Sequence, residues 1–419
     1  MRLSSLFLLL LTSLSANAGE QLFTHQPTVT PSLAQPGNWR VGVKTLKAVN
    51  AEQLNTQDFV SKADRSLTLE LWYPADVKSD GERILATYED VTRSGKPFSL
   101  QGEAYRDHAM AKAQTRFPLV IISHGYTGYR SQLFYLGEHL ASHGYIVASI
   151  DHTDSTNADV LKKGDPGSGF VSTLYNRARD QQFVLSWLMK DKGFSSSIAA
   201  ESAALIGYSM GGYGALNSVG GCYTFSSQTL QSMQFPEALA SQLAPVFNSC
   251  NAGQTEVDPR WKAMISFAPW GGEQNVHELA GVKVPSMIVA GDHDDVSGYE
   301  KGVKSLFNQL GSDNKYMLVY ENARHNFAGH PAPKVAYADD FDLGHYYEPS
   351  WHPEAMTRVN EHMSLAFLNC YVKEDQKACA YLPTTEHATQ VKQKDNTLSP
   401  AWPGFPDRWA TGLRFIRDK

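Results

Sequence analysis

The chain has 419 residues, 42% of them hydrophobic and 19% charged, and a formal net charge of −6. That is the balance of an ordinary soluble globular protein, long enough for one large α/β domain or two smaller ones. The mildly acidic charge, with no basic run, argues against nucleic acid or an anionic membrane surface as the main partner.

Residues 1–18 read as a targeting segment. Arg2 gives the positive start, Leu6 to Leu14 the apolar stretch, and Ala16-Asn17-Ala18 a small-x-small cleavage site before Gly19. The apolar stretch is shorter than the ~20 residues that a spanning helix takes, and no later run is long enough. A soluble protein exported to the periplasm or the exterior is therefore expected. Export makes two disulfides the expectation for Cys222, Cys250, Cys370 and Cys379. Of the three possible pairings, Cys222–Cys250 with Cys370–Cys379 is favoured, because each bond closes one local segment.

Residues 19–37, rich in Pro, Thr, Gln and Ser, read as an extended leader. Alternating apolar residues over 41–49 and 66–74 predict antiparallel strands. Residues 77–114 are polar and weakly patterned, and predict a loop with a short helix. Phe117-Pro118-Leu119-Val120-Ile121-Ile122-Ser123 is the first continuous apolar strand. A helix over 131–143 and a strand over 145–150 complete a β-α-β unit, hence a parallel sheet. A helix over 174–189 follows. Strands at 203–206, 263–268, 286–290 and 316–320, with a helix around 302–310, continue the rhythm of a doubly wound, mostly parallel α/β sheet. Two stretches, 218–260 and 328–353, interrupt that rhythm and read as cap or lid insertions. A closing helix is expected over 363–372 and an edge strand over 411–416. The expected organisation is a signal peptide (1–18), an extension with the first strand (19–65), the main domain (66–372) and a tail packing on it (373–419).

The chemistry centres on Gly207-Tyr208-Ser209-Met210-Gly211, between the apolar run Ala203–Ile206 and a helix. Strand, sharp turn and helix are the context of a G-x-S-x-G nucleophile elbow, which raises the serine hydroxyl above the sheet. A serine needs a base to take its proton and a carboxylate to orient that base. The acid and the histidine belong, in that order, after later strands. His325, in Ala323-Arg324-His325, directly follows a strand and is the candidate base. Gly291-Asp292-His293-Asp294-Asp295 follows the preceding strand. The G-x-x-D register selects Asp294 over Asp295 and Asp292, which read as turn or cap residues. An oxyanion hole needs two backbone N–H groups. Met210 supplies one, and Tyr126, in His124-Gly125-Tyr126, the other. His124 is expected to brace that turn. Trp270, in Ala268-Pro269-Trp270, is either a wall of the substrate site with Tyr126 or a core aromatic. Asp151-His152 and His293-Asp294-Asp295 lack metal-ligand spacing, so no metal or cofactor is expected.

On the motifs Leu71–Pro74, His124-Gly125, Gly207–Gly212, Gly291–Asp294 and Ala323–His325, the chain from about Trp72 to Val372 resembles serine α/β-hydrolases related to bacterial dienelactone hydrolases and platelet-activating factor acetylhydrolases. Gly125-Tyr126-Thr127, Ser209–Gly212 and Ala268–Trp270 are also similar to motifs of bacterial cutinases and polyester hydrolases. The resemblance implies an α/β-hydrolase fold and a bound ester flanked by Tyr126 and Trp270. Dienelactone hydrolases proper carry a Cys nucleophile where this chain has Ser209, and cutinases lack insertions as long as 218–260 and 328–353. The resulting expectation is an exported serine hydrolase that cleaves small-molecule carboxylic esters of short to medium acyl chain. A peptidase or amidase, a polyester hydrolase and a non-catalytic binding scaffold are the alternatives.

Overall fold

Five strands in the middle of the chain are buried along nearly their whole length, which requires cover on both faces. In the computed structural model, which describes residues 19–23, 29–77, 84–250, 257–388, 402–406 and 409–418, these strands lie at the centre of a single large sheet. The expected targeting segment, residues 1–18, lies outside the described residues. In chain order the elements are β1 (Arg40–Leu54), β2 (Lys62–Ala75), β3 (Leu85–Val91), β4 (Pro97–Arg106), β5 (Phe117–Ser123), α1 (Phe134–Ser142), β6 (Ile146–Asp151), α2 (Asn157–Lys163), α3 (Phe170–Leu188), β7 (Ile198–Tyr208) and α4 (Met210–Ser218). They continue with β8 (Cys222–Tyr223), α5 (Ser227–Ser232), α6 (Glu237–Leu243), β9 (Trp261–Phe267), β10 (His277–Glu278), β11 (Ser286–Gly291), α7 (Lys304–Gln309), β12 (Lys315–Tyr320), α8 (Asp340–Leu343), α9 (Pro353–Tyr371), α10 (Gln376–Cys379) and β13 (Leu413–Arg417).

The sheet has 11 strands in the order β13-β12-β11-β9-β7-β5-β6-β2-β1-β4-β3. From β12 to β6 every neighbouring pair is parallel. The chain turns antiparallel at β2 and again at β13. One face is covered by α1 and α9, the other by α3, α4 and α7, and each face has its own apolar cluster. The expected edge strand near the C-terminus is β13, paired antiparallel to β12 from Tyr316↔Arg417 to Tyr320↔Leu413.

Two sequence expectations need correction. The stretch read as a loop with a short helix holds the β3–β4 hairpin. Its inward residues Ala86, Tyr88, Phe98 and Leu100 are buried. They alternate with outward Thr87, Glu89, Ser99 and Gln101, so the apolar signal is diluted in a strand with one covered face. The closing helix α9 begins ten residues earlier than expected, with Pro353 in its first turn. Its first half buries Thr357, Arg358, Asn360, Glu361 and His362. These polar side chains hide the apolar stripe from which a helix is read. The helix expected near 302–310 opens with a wider turn over Tyr299–Val303 before α7.

Both disulfides join the expected partners, Cys222 to Cys250 across 28 residues and Cys370 to Cys379 across 9. The first closes the base of the 218–260 insertion, and the second ties α9 to α10. Loop-closure entropy makes the longer loop the more stabilising, at roughly 3.5 kcal/mol against about 2.7 for the shorter. Replacing each pair by Ser should therefore lower the free energy of unfolding in that order, read from urea transitions at constant m-value. The reverse order would show that local contacts outweigh chain entropy.

Candidate active site

β7 ends at Tyr208 and α4 begins at Met210. Ser209 between them sits at φ 52° and ψ −114°, a conformation that costs a non-glycine residue about 1–3 kcal/mol. The surrounding backbone holds it there. Ser209 N–H donates to Phe267 O at 2.8 Å, and Ser209 O accepts from Tyr213 N at 2.9 Å and from Trp270 N at 3.2 Å. A Cβ on Gly207 would lie 2.3 Å from Gly211 O, and one on Gly211 would lie 1.9 Å from Ser123 O. Only glycine lets β7 and α4 meet this closely beside β5.

β11 and β12 are parallel neighbours, with Gly291 opposite Tyr320. The turns that follow them therefore emerge side by side at the end of the sheet where β7 delivers Ser209. His325 Nδ1 lies 3.0 and 2.9 Å from the two carboxylate oxygens of Asp294. Asp294 Oδ1 also accepts from the N–H groups of Val296 at 2.9 Å and Ser297 at 2.8 Å. Burial opposes ionisation of Asp294, but His325 and the two N–H groups outweigh it and hold the carboxyl below its ordinary pKa. A carboxylate on Nδ1 fixes the proton there and leaves Nε2 as the acceptor. The Tyr208 ring lies 5.3 Å from the imidazole at an interplanar angle of 31° and backs it.

The other two acids do not bond His325. Asp292 accepts from Asn322 N at 2.6 Å and pairs with His293 Nδ1 at 2.8 Å, so it caps the turn. Asp295 is ion-paired with Arg324, and both exposed side chains line the cavity that holds Ser209.

Ser209 and His325 line one cavity of about 240 Å³, together with Gly125, Tyr126, Met210 and Trp270. The backbone N–H groups of Tyr126 and Met210 have no acceptor among the described residues; for Met210 this follows from its place in the first turn of α4. Trp270 is both wall and packing residue. Phe170 stands edge-on between Tyr126 and Trp270, at ring distances of 5.6 and 5.5 Å. Sequence reading missed Phe170, the first residue of α3, along with His345 and Arg93, which also line the cavity. Arg93 lies in the turn of the β3–β4 hairpin, so no local signal placed it at the site.

The insertions contribute unequally. No residue between 218 and 260 lines the cavity among the described residues. Phe225 and Phe247 instead pack with Met210 and Tyr213 beside the elbow helix. The second insertion supplies Gly344 and His345, while its Tyr337, Phe341 and Tyr347 face solvent. A larger cavity of about 600 Å³, between the leader, β4, α1 and α9, holds none of these groups.

Behind the turn after β5 lies a buried polar network. Ser123 Oγ is 2.8 Å from His152 Nε2, whose Nδ1 is 2.8 Å from Asp180. Asp180 also binds Arg65 at 2.7 and 2.8 Å. These are the residue types of a catalytic relay, but all three of its members are buried and none lines the cavity beside Ser209. Burial pushes the His152 imidazole down to about 3, with Arg177 adding to it and Asp180 opposing it, so the ring stays neutral. His152 N–H donates to His124 Nε2 at 3.2 Å, which leaves the other ring nitrogen, Nδ1, to donate to Gly125 O at 2.6 Å. His124 therefore braces the turn, as expected. Arg177, buried in the same region, reaches the same carbonyl at 3.4 Å.

A profile for platelet-activating factor acetylhydrolase, isoform II, matches residues 34–166. A PET hydrolase-like profile matches residues 249–339. Cutinase est2 of Thermobifida alba is 27% identical over 285 residues, covering 66% of this chain and 68% of that protein. Cutinase est1 of the same organism is 28% identical over 209 residues, covering 49% of this chain and 52% of that protein. The platelet-activating factor acetylhydrolase of Cavia porcellus is 29% identical over 136 residues, covering 24% of this chain and 31% of that protein. The chain thus resembles serine hydrolases of the cutinase and platelet-activating factor acetylhydrolase type. It spans about half the length of several curated relatives that it matches. Among solved structures, a ferulic acid esterase from Streptomyces cinnamoneus aligns with a TM-score of 0.54 at 20% identity, over 85% of this chain and 94% of that one. At that identity the likeness speaks to the fold, which is that of the α/β-hydrolases.

The network behind the turn has a stability consequence. Asp180→Ala leaves the Arg65 guanidinium buried without its carboxylate and should cost about 3–5 kcal/mol, measured by chemical denaturation. A loss below about 1 kcal/mol would mean that Arg65 finds Asp154, 3.2 Å away, an adequate partner.

Proposed function

We propose that this chain is a serine hydrolase acting on carboxylic esters. The observation that carries the reading is the strained Ser209 turn sharing a cavity with a His325 imidazole already bound to Asp294. Ser209 Oγ attacks the ester carbonyl as His325 Nε2 takes its proton. Asp294 holds the imidazole in the right tautomer and stabilises the imidazolium. The N–H groups of Tyr126 and Met210 receive the tetrahedral oxyanion. His325 then protonates the leaving alcohol, and water, activated by the same imidazole, releases the acid from Ser209.

The substrate is a small ester of short to medium acyl chain. A cavity of about 240 Å³ is below the usual range of drug-sized ligand sites, and its aromatic wall of Tyr126, Phe170 and Trp270 suits an apolar limb. The PET hydrolase-like match over residues 249–339 favours polyester as a second reading. The catalytic domain would take in the whole sheet, from β1 (Arg40–Leu54) to β13 (Leu413–Arg417), with the 328–353 insertion at the cavity rim.

Export is part of the proposal. It rests on the segment 1–18 and on two disulfides, which persist in oxidising compartments. No helix among the described residues is long and apolar enough to cross a membrane. The mature protein should begin at Gly19 in N-terminal sequencing of secreted material; retention of Met1 in exported protein would refute the cleavage site.

A fluorophosphonate probe should label Ser209 and leave Ser123 untouched, as mapped by mass spectrometry. Ser209→Ala should abolish labelling and lower ester turnover by orders of magnitude. Asp294→Asn should lose roughly 10³–10⁴ in kcat, while Asp295→Asn should lose far less. A panel of p-nitrophenyl esters should peak at short to medium acyl length. A dead Asp295→Asn enzyme, or best turnover on long-chain emulsions or polyester film, would overturn the corresponding assignment.

A further inference from the structure

The cavity beside Ser209 has two unlike walls. Tyr126, Phe170 and Trp270 make one of them aromatic. The other carries Arg93 from the β3–β4 turn and His345 from the second insertion. Arg93 forms no ion pair among the described residues, and its Nε is buried with no hydrogen-bond partner. Its neighbours do not satisfy it. The Phe341 ring lies 5.9 Å from its Cζ. Asp342, the nearby carboxylate, is already engaged by Ser94 N at 2.8 Å, Ser94 Oγ at 2.6 Å and Lys96 Nζ at 3.1 Å. Arg324, the other arginine lining the cavity, is paired with Asp295, the carboxylate that also lines it, so that pair is neutralised within itself. His345 Nε2 is also buried without a partner. Burial, with Arg93 adding to it, keeps that imidazole neutral.

The half-buried Arg93 keeps its Nε out of water with no acceptor and has no carboxylate of its own, an arrangement that is costly to keep. Its rigid fork of donors matches the two oxygens of a carboxylate. At the wall of a cavity, the missing acceptor can come from the ligand. We propose, on the esterase reading above, that Arg93 is a specificity-determining residue that binds a carboxylate carried by the substrate. The preferred esters are then monoanions, with an apolar limb against Tyr126, Phe170 and Trp270 and the carboxylate on Arg93. Half-esters of dicarboxylic acids place that charge on the acyl limb. Esters of hydroxy acids place it on the alcohol limb.

The test compares matched esters: 4-nitrophenyl hydrogen glutarate with 4-nitrophenyl pentanoate for the acyl limb, and 4-carboxyphenyl butyrate with phenyl butyrate for the alcohol limb. In the wild-type enzyme, kcat/KM for the anionic member of one pair should exceed that for its neutral counterpart. In Arg93→Gln that ratio should fall by roughly 10–150-fold, the range for a hydrogen bond to a charged group, and Arg93→Lys should recover part of it. A ratio unchanged by Arg93→Gln in both pairs overturns the proposal. A readout without turnover separates it from the esterase reading: calorimetric binding of benzoate to Ser209→Ala should weaken by a similar factor when Arg93→Gln is added. Equal benzoate affinity in the two proteins refutes the anion site even if neutral esters are hydrolysed. Wild-type protein that is neither labelled by fluorophosphonate nor active on any of the four esters refutes the esterase reading. Thermal midpoints of the Gln and Lys variants identify any loss that comes from misfolding, and Arg93→Lys then carries the test.

Discussion

Ser209 can be held at a positive φ only because Gly207 and Gly211, two positions to either side, have no side chain to place. The turn from β7 to α4 passes so close to Ser123 O and to the chain at Gly211 that a single Cβ would meet backbone at 1.9 to 2.3 Å. The bond that Ser209 N–H donates to Phe267 O, and those that Ser209 O accepts from Tyr213 N and Trp270 N, tie the strained residue to β9, to α4 and to the turn after β9. The strain of about 1–3 kcal/mol is thus spread over a rigid sheet centre, and the hydroxyl is presented without any movement of the chain.

The same economy governs the groups around it. Parallel pairing of β7, β9, β11 and β12 brings four strand ends to one rim, and each contributes one part of the site. Asp294 and His325 meet because β11 and β12 are adjacent and in register. Tyr126 arrives from β5, on the other side of β7. Its turn is held from behind by a neutral His124, a second histidine at 152 and the Asp180–Arg65 pair. That network repeats the serine, histidine and carboxylate of a catalytic relay in a place with no room for a substrate. Which set can react is decided by access and backbone geometry, since the residue types are the same in both.

The walls of the cavity are assembled from segments far apart in the chain. The hairpin at the far edge of the sheet sends Arg93 over the rim, α3 brings Phe170 at its first residue, and the second insertion brings His345. The first insertion, bound by Cys222–Cys250, instead thickens the support under the elbow helix, where Phe225 and Phe247 pack on Met210 and Tyr213. Its aromatics back the helix that follows Ser209, and no described residue of it lines the cavity.

The amino-acid sequence alone determined the sheet centre and singled out the groups proposed to react. Short apolar runs alternating with helices fit strands covered on both faces, and a serine between glycines at the end of such a run fits a strand–turn–helix elbow. The order of Ser209, Asp294 and His325 along the chain, and the local pairing of the cysteines, follow from spacing. The tertiary structure decided what spacing cannot carry. The β3–β4 hairpin was illegible because strands with one covered face alternate polar and apolar residues weakly, and the first half of α9 because its buried face is polar. Arg93 reached the site only through that hairpin, and Phe170 only through the start of α3. The role of the 218–260 insertion was set by which surface its aromatics cover, a matter of three-dimensional packing. Local chemistry is written in neighbouring residues; the shape of a cavity is written in contacts between residues hundreds of positions apart.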